Sequence, residues 1–322
     1  MNKIKLGLVG LGHLGKIHLK CILQIPEIIL VGCFDVNQET AQSICKEFGV
    51  VHYESLDQLI HDSEAIDIVT PTTTHYDIAS MAIRAGKHCF IEKPVTQTLQ
   101  EALDLQNLIS IYPVKVQIGH VERYNPSFLA IKPYIKYPKF IEAHRLSTFN
   151  PRGTDVSVVH DLMIHDLDII SLMAQSPARE IRASGVSIVS QKADICNARI
   201  EFESGLVCNV TASRISMKAM RKIRIFQEDA YISMDLLSKE AEVISLLDEY
   251  QDNTLELDTY KGKKYIQLFQ AEITPVNAIL EEIKSFAKSI VIDSETEVNL
   301  QDGIRALSLV DAILCQIESS NV

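Results

Sequence analysis

Three shortages narrow this 322-residue chain before any motif is read. No apolar run reaches the roughly 18–20 residues needed to span a bilayer, so no membrane association is expected. Positive charge is scarce: 31 Lys and Arg stand against 42 Asp and Glu, a formal net charge of −11. A duplex-binding protein needs a basic face, so no nucleic-acid partner is expected. Paired cysteines are missing too. The seven cysteines include no Cys-x-x-Cys motif. Most lie in apolar segments and their number is odd, which suits small core residues in a reducing compartment better than a secreted disulfide framework. Met1–Lys5 runs straight into a strand pattern without a cleavable apolar leader, so the expected location is cytoplasmic.

What is present is ordinary globular composition, 47% hydrophobic and 23% charged, over a length that suits two domains. The first 120 residues alternate short strands with helices: strands at Lys3–Val9, Ile28–Phe34, Ala65–Thr70, His88–Ile91 and Lys115–Gly119, with helical segments between them. That alternation means βαβ crossovers and a parallel sheet covered on both faces. After residue 120 the pattern changes. A strongly apolar helix over Ser157–Ala174 is followed by a series of strands from Glu180 to Phe269, two of them joined by a hairpin turn at Glu203-Ser204-Gly205. Helices over Asn277–Val291 and Asp302–Glu318 close the chain. The expected fold is α/β: a Rossmann domain over 1–120, then an α+β domain over 121–322 with a large, mostly antiparallel open sheet.

Gly10-Leu11-Gly12-His13-Leu14-Gly15 follows the first strand and opens a helix, the context that a dinucleotide fingerprint requires. Gly10 permits the tight turn, Gly12 lets backbone approach a pyrophosphate, and Gly15 lets helix and strand pack closely. The helix start at His13 and Leu14 then offers N–H groups and partial positive charge to phosphates. Asp35 ends the second strand about 20 residues later and can accept hydrogen bonds from both adenosine ribose hydroxyls. Val36-Asn37-Gln38-Glu39-Thr40 contains no cation to hold a 2′-phosphate, so NAD is the expected cofactor rather than NADP. Asp35 is also placed to cap the helix that starts near Gln38. Two further strand ends, Thr70-Pro71-Thr72-Thr73-Thr74-His75 and Glu92-Lys93-Pro94, should reach the same crevice. The plain alternatives are a helix cap at Thr74 and a solvated Glu92–Lys93 pair.

On the apolar helix, Asp161, His165 and Asp168 recur at i, i+4 and i+7 and share one face. Buried ionisable groups are costly unless paired or put to use. Asp161 can orient the His165 imidazole, which can take a proton from a hydroxyl; a buried pair that only fixes helix packing is the alternative. His160 and His165 are five apart, unlike the i, i+4 pair of His-Glu-x-x-His, and no metal is expected. Arg123, Tyr124, Asn125, His144, Arg145 and Arg152 cluster in sequence and could bind polar or phosphorylated substrate groups. Each taken singly also reads as a surface residue.

The glycine fingerprint, Thr70-Pro71 followed by His75, and Glu92-Lys93-Pro94 occur in one order. Together they resemble the Gfo/Idh/MocA oxidoreductases, over nearly the whole chain. The resemblance implies that Lys93 lies beside the nicotinamide and the substrate hydroxyl. It implies that Asp161 and His165 fill the family's Asp-x-x-x-His, with Met163 where glycine is usual, a departure that suggests a differently packed helix. Gly119-His120-Val121-Glu122-Arg123-Tyr124-Asn125-Pro126 and Asp161–Asp168 are similar to the branch acting on UDP-N-acetylglucosamine, whose members oxidise the sugar 3-hydroxyl. Inositol, free-aldose or other polyol oxidation is the sibling alternative. A non-catalytic NAD-binding sensor or scaffold is the alternative of another class, and both Lys93 and His165 are present against it. Pairing as a homodimer or homotetramer through the second-domain sheet is also implied, and Leu206–Val210, apolar on both faces, is compatible with it. The catalytic reading requires Lys93 and His165 to meet at the reactive ring.

Overall fold

Apolar runs of four to seven residues, ended by glycine or a polar turn, are too short for helices and suit strands covered on both sides. Five such runs pair in parallel: β1 (Ile4–Val9), β2 (Ile28–Phe34), β3 (Ala65–Ile68), β4 (His88–Glu92) and β5 (Val116–Gly119). Their order is β2-β1-β3-β4-β5. The crossovers are α1 (His13–Ile22), α2 (Gln38–Phe48), α3 (Leu56–Asp62), α4 (His75–Arg84) and α5 (Leu99–Ile111). Thr98 and Glu101 start α5 with a reciprocal capping box. This computed structural model describes residues 3–150, 156–260 and 262–320. Because β2 and β3 flank β1 on opposite sides, the strand order reverses at β1, and in such sheets ligands bind at the carboxyl-end edge there. Gly10, Asp35, Lys93 and His120 each directly follow a strand, and Thr70 follows within two residues, so all five lie at this edge.

A second unit starts at Glu122. It contains α6 (Pro126–Ile131), β6 (Phe140–Leu146) and a π-helical turn at Val159–Met163 that runs into α7 (Ile164–Ala174). The strands β7 (Ala178–Val186), β8 (Ile195–Phe202), β9 (Val207–Ser213), β10 (Met220–Phe226), β11 (Ala230–Asp235), β12 (Glu240–Leu247), β13 (Leu255–Thr259) and β14 (Gly262–Gln270) follow. With β6 they form one nine-stranded sheet, antiparallel except where β6 meets β9. Burial alternates along β6 and β8, as it does when one face of a sheet packs on a core. Gly205, with φ +83°, makes the expected turn between β8 and β9. The strand β13 is almost wholly exposed, and its short Leu255/Leu257 alternation packs on no core, so a sequence reading passes over it.

The chain then returns to the first unit. α8 (Ala278–Val291) adds Ile283, Phe286 and Ala287 to the core formed by β1, α1 and β2, and the Phe286 ring meets Phe90 at 5.9 Å. Residues Asn277–Leu307 belong to the first unit and the division falls inside α9 (Leu300–Ser320). The simple boundary expected at 120/121 therefore needs correction. The physical reason is that α1 and β4 expose an apolar surface that the first 120 residues cannot cover. Among the described residues no helix is long and apolar enough to cross a membrane. All seven cysteines are free, and all but Cys315 are buried.

The segment between β7 and β8 closes on Asp194, which is fully buried. Its Oδ2 accepts from the amides of Ile188 and Val189 at 2.7 Å, and its Oδ1 from the Ser190 hydroxyl at 2.6 Å. Burial pushes this carboxyl up, but the Ser190 hydroxyl and the three amides outweigh it and hold it at about 2. The folded value lies below the unfolded one, so this contribution to stability is present above the ordinary aspartate value and lost as pH falls through about 2. Asp194→Ala is expected to lower stability at neutral pH by about 2 kcal/mol in urea denaturation, with the deficit shrinking in acid. A deficit that stays constant down to the lowest pH would show that the carboxylate charge is not its source.

Candidate functional site

The glycine turn is as tight as the fingerprint requires. Gly10 has φ +98°, and a Cβ there would sit 2.4 Å from the Val69 carbonyl oxygen. A Cβ at Gly15 would sit 2.0 Å from the Gly10 carbonyl oxygen, so α1 lies directly on the turn. Gly12 is different: a Cβ there would meet nothing within 4 Å. It faces open space at the start of α1, where no side chain caps the helix and the first turn holds no acid. His13 is exposed and Leu14 half-buried. Gly10 N donates to the Phe34 carbonyl, but the first amides of α1 have no acceptor within the helix, which fits a dinucleotide pyrophosphate.

Asp35 is half-buried, with Oδ2 accepting from Leu11 N at 2.7 Å and Oδ1 from Asn37 N at 2.9 Å. The cap of α2 is Asn37, which accepts from Thr40 N, so Asp35 is not the helix cap but a clasp on the glycine turn. Thr74 bonds through its hydroxyl to Thr70 Oγ1 and the Pro71 carbonyl and makes no cap bond to α4. His75 is buried, with Nδ1 2.9 Å from the Pro94 carbonyl and Nε2 2.9 Å from the Thr70 carbonyl. Its ring braces the two loops, and Pro71 and Thr72 sit on one of them. Lys93 is half-buried beyond β4, and its bond to Pro94 is cis. Glu92 is no solvated partner: it is 7% exposed and turned inward, accepting from Lys93 N at 3.1 Å.

In the second unit the expected constellation is only partly assembled. Asp161 and His165 are half-buried, one in the π-helical turn and the other at the start of α7. Asp168 leaves that set: it is buried and takes both Nε and Nη2 of Arg123, at 2.8 and 2.6 Å. Arg123 is therefore corrected from a substrate-binding residue to one half of a buried ion pair; truncating either half would cost about 3–5 kcal/mol by leaving a lone buried charge. Asn125 is corrected likewise. Its amide donates to Glu122 and the Leu236 carbonyl and accepts from the Ser127 amide and hydroxyl, which uses its hydrogen-bonding capacity. Arg145 is buried between Asp166 and Glu122. Tyr124 is buried, His144 is half-buried on β6, and Arg152 lies outside the described residues.

Sequence reasoning missed the partners. His18 on α1, Asp67 on β3 and Glu282 on α8 are buried beside Glu92, and Glu122 collects arginines in the second unit. The available signal was an ionisable residue inside an apolar run, as in Ala65-Ile66-Asp67-Ile68.

Comparison with known proteins decides the family. Residues 4–120 match the model described as an oxidoreductase family with an NAD-binding Rossmann fold, and residues 136–233 match the GFO/IDH/MocA C-terminal domain. The UDP-N-acetylglucosamine 3-dehydrogenase of Acidithiobacillus ferrooxidans is 38% identical over 239 residues, 74% of this chain and 76% of that one. The chain belongs to the Gfo/Idh/MocA oxidoreductase family. A solved structure of the Acidithiobacillus enzyme superposes with a TM-score of 0.90 at 31% identity, covering 99% of both chains. The myo-inositol 2-dehydrogenase of Thermotoga maritima is 24% identical over 325 residues, 95% of this chain and 94% of that one. As a Gfo/Idh/MocA member the chain is an oxidoreductase whose first unit binds NAD or NADP.

The two glycines of the fingerprint should separate binding from folding. Gly12→Val is expected to melt within a few degrees of the parent yet to bind NADH at least tenfold more weakly by fluorescence titration, because the side chain fills the pyrophosphate's place. Gly15→Ala is expected to lower the melting temperature itself. Unweakened NADH binding by the Gly12 variant would remove the turn from the site.

Proposed function

We propose that this protein is an NAD-dependent dehydrogenase acting on a secondary hydroxyl of a nucleotide-sugar, with the 3-hydroxyl of UDP-N-acetylglucosamine as first candidate. The likeness to the Acidithiobacillus enzyme, which runs through both units, carries this reading. NAD rather than NADP is supported by Asp35, whose carboxylate would repel a 2′-phosphate, and by the absence of Arg or Lys in Val36–Thr40. When bound, NAD⁺ supplies the hydride acceptor. The chain's own groups handle the rest. His165, oriented by Asp161, takes the hydroxyl proton, and the Lys93 ammonium stabilises the developing alkoxide, a contribution of a few kcal/mol.

One observation favours the sibling reading, an inositol or other uncharged polyol. Arg123, Asn125 and Arg145, three residues suited to a diphosphate, are spent on internal partners. A screen of NADH formation across UDP-sugars, free sugars and inositols separates the two. UDP-N-acetylglucosamine is expected to turn over, if need be with a coupled aminotransferase to remove the ketone. Turnover of inositols alone would transfer the assignment to the sibling activity. Lys93→Ala and His165→Ala are each expected to lower kcat at least 10²-fold with NADH affinity within about threefold of the parent. Undiminished kcat in both would end the roles given to them.

We also propose that two or four copies pair through the open face of the nine-stranded sheet. Phe140, Phe226 and Tyr231 form an aromatic row on that unit, and Leu255 and Leu268 are 72% and 64% exposed. Light scattering behind size exclusion should give a dimer or tetramer mass, and Phe226→Glu should reduce it. A monomeric parent would dispose of the idea.

A further inference from the structure

Four ionisable side chains meet in the core of the first unit, behind the strand end that carries Lys93. His18 comes from α1, Asp67 from β3, Glu92 from β4 and Glu282 from α8, and their exposures are 0, 1, 7 and 0%. The His18 ring bridges two carboxylates, with Nδ1 2.9 Å from Asp67 Oδ2 and Nε2 3.2 Å from Glu92 Oε1. Oxygens of Glu92 and Glu282 lie within 4.8 Å of each other and of the His18 ring nitrogen. Both carboxyl oxygens of Glu282 are buried without a hydrogen-bond partner. The surroundings are apolar: the Phe90 ring stands edge-on to His18 and Phe286 stands edge-on to Phe90.

Charge arithmetic makes this arrangement unstable as drawn with every acid ionised. Three carboxylates and one imidazolium would leave two negative charges in the core, and an unpaired buried charge costs several kcal/mol. One proton removes half the excess. It belongs on the acid that receives no donor. Asp67 accepts from His18, and Glu92 accepts from Lys93 N while its other oxygen lies 3.2 Å from His18 Nε2. Glu282 accepts from nothing. We propose that Glu282 is a carboxylic acid kept neutral in the folded protein, and that with the His18 imidazolium it forms a positioning cluster that fixes Glu92 and, through it, the main-chain amide of Lys93. Burial, then Glu92, drives the Glu282 carboxyl well above the ordinary range, with His18 opposing and Asp67 adding to the rise. The groups facing Glu282 are His18 and Cys21 on α1, Asp67 on β3 and Glu92 on β4.

A divalent cation would be the other way to balance the charge. The imidazolium form of His18 argues against it, because with a proton on each ring nitrogen it has no lone pair for a metal. Glu92 is also held from the far side. A Cβ at Gly119 would sit 2.7 Å from Glu92 Oε1, so only glycine at the end of β5 leaves room for the carboxylate.

The cluster's role toward Lys93 rests on the function proposed above; its proton does not. Infrared spectroscopy of the purified, full-length parent at pH 7 should show a protonated-carboxyl C=O band that disappears in Glu282→Gln. A parent without the band, a band that survives in the variant, or a Gln variant that cannot fold would each overturn the neutral acid. So would one equivalent of tightly held divalent metal in the purified protein. The sign of the pH effect is fixed: the folded value is raised, so this contribution is full below the ordinary glutamate value and lost as pH rises toward the folded one. Over that window the folding constant of the parent should fall about tenfold per pH unit more steeply than that of Glu282→Gln. For positioning, Gly119→Ala should displace Glu92 and lower kcat about tenfold or more, with KM and the NADH dissociation constant within about threefold. An unchanged kcat there would overturn the positioning role. If Lys93→Ala keeps its activity, the catalytic reading fails while the infrared result still judges the cluster.

Discussion

Helix α1 lies so close on the first turn that a single methyl at Gly15 would come within 2.0 Å of the Gly10 carbonyl oxygen. Much of the first unit follows from that approach. It brings the helix N-terminus to the sheet's carboxyl edge, where outward N–H groups can meet a phosphate. It lets the Leu11 amide reach Asp35, which ties the turn to the end of β2. Less than one turn past Gly15, it brings His18 within reach of Asp67 and Glu92. A wider gap between helix and strand would weaken all three features together.

The second unit is organised by a different constraint, the matching of guanidinium to carboxylate. Arg123 grips Asp168 with two nitrogens, and Arg145 spans Asp166 and Glu122, all at 5% exposure or less. Bidentate pairs have fixed geometry, so they lock the turn at Val121–Tyr124, β6 and α7 to one another. Asn125 then ties Glu122 to the end of β11 through the Leu236 carbonyl. These residues serve the frame on which Asp161 and His165 are carried. The π-helical turn ends at Met163, the position where the family commonly has glycine, and Met163 is fully buried there.

Periodicity and turn chemistry made the strands and helices of the first unit readable almost to the residue, because short apolar runs with glycine punctuation have few other solutions. The strand ends that bear Gly10, Asp35, Thr70 and Lys93 were readable for the same reason. Pairing across long separations was not. Arg123 reads as a surface cation until Asp168, 45 positions away, is seen to meet it. His18 and Asp67 are separated by 49 positions. The return of Asn277–Leu307 to the first unit was hidden as well, since an amphipathic helix shows that it has an apolar face but not what that face covers. The edge strand β13 carries no burial pattern at all.

The two buried networks differ in how they are balanced, and the difference has a physical consequence. In the second unit each buried carboxylate among Glu122, Asp166 and Asp168 has an arginine, a cation that does not give up its proton. In the first unit the buried cation among Asp67, Glu92 and Glu282 is an imidazolium, whose own value burial opposes but Asp67 and Glu92 drive well above normal. Protons, not guanidinium groups, must then complete the balance there, and protons are lost as pH rises. The sensitivity of this fold to alkaline conditions should therefore reside under the dinucleotide-binding edge, where loss of a proton would act first on Glu92 and on the strand end that carries Lys93.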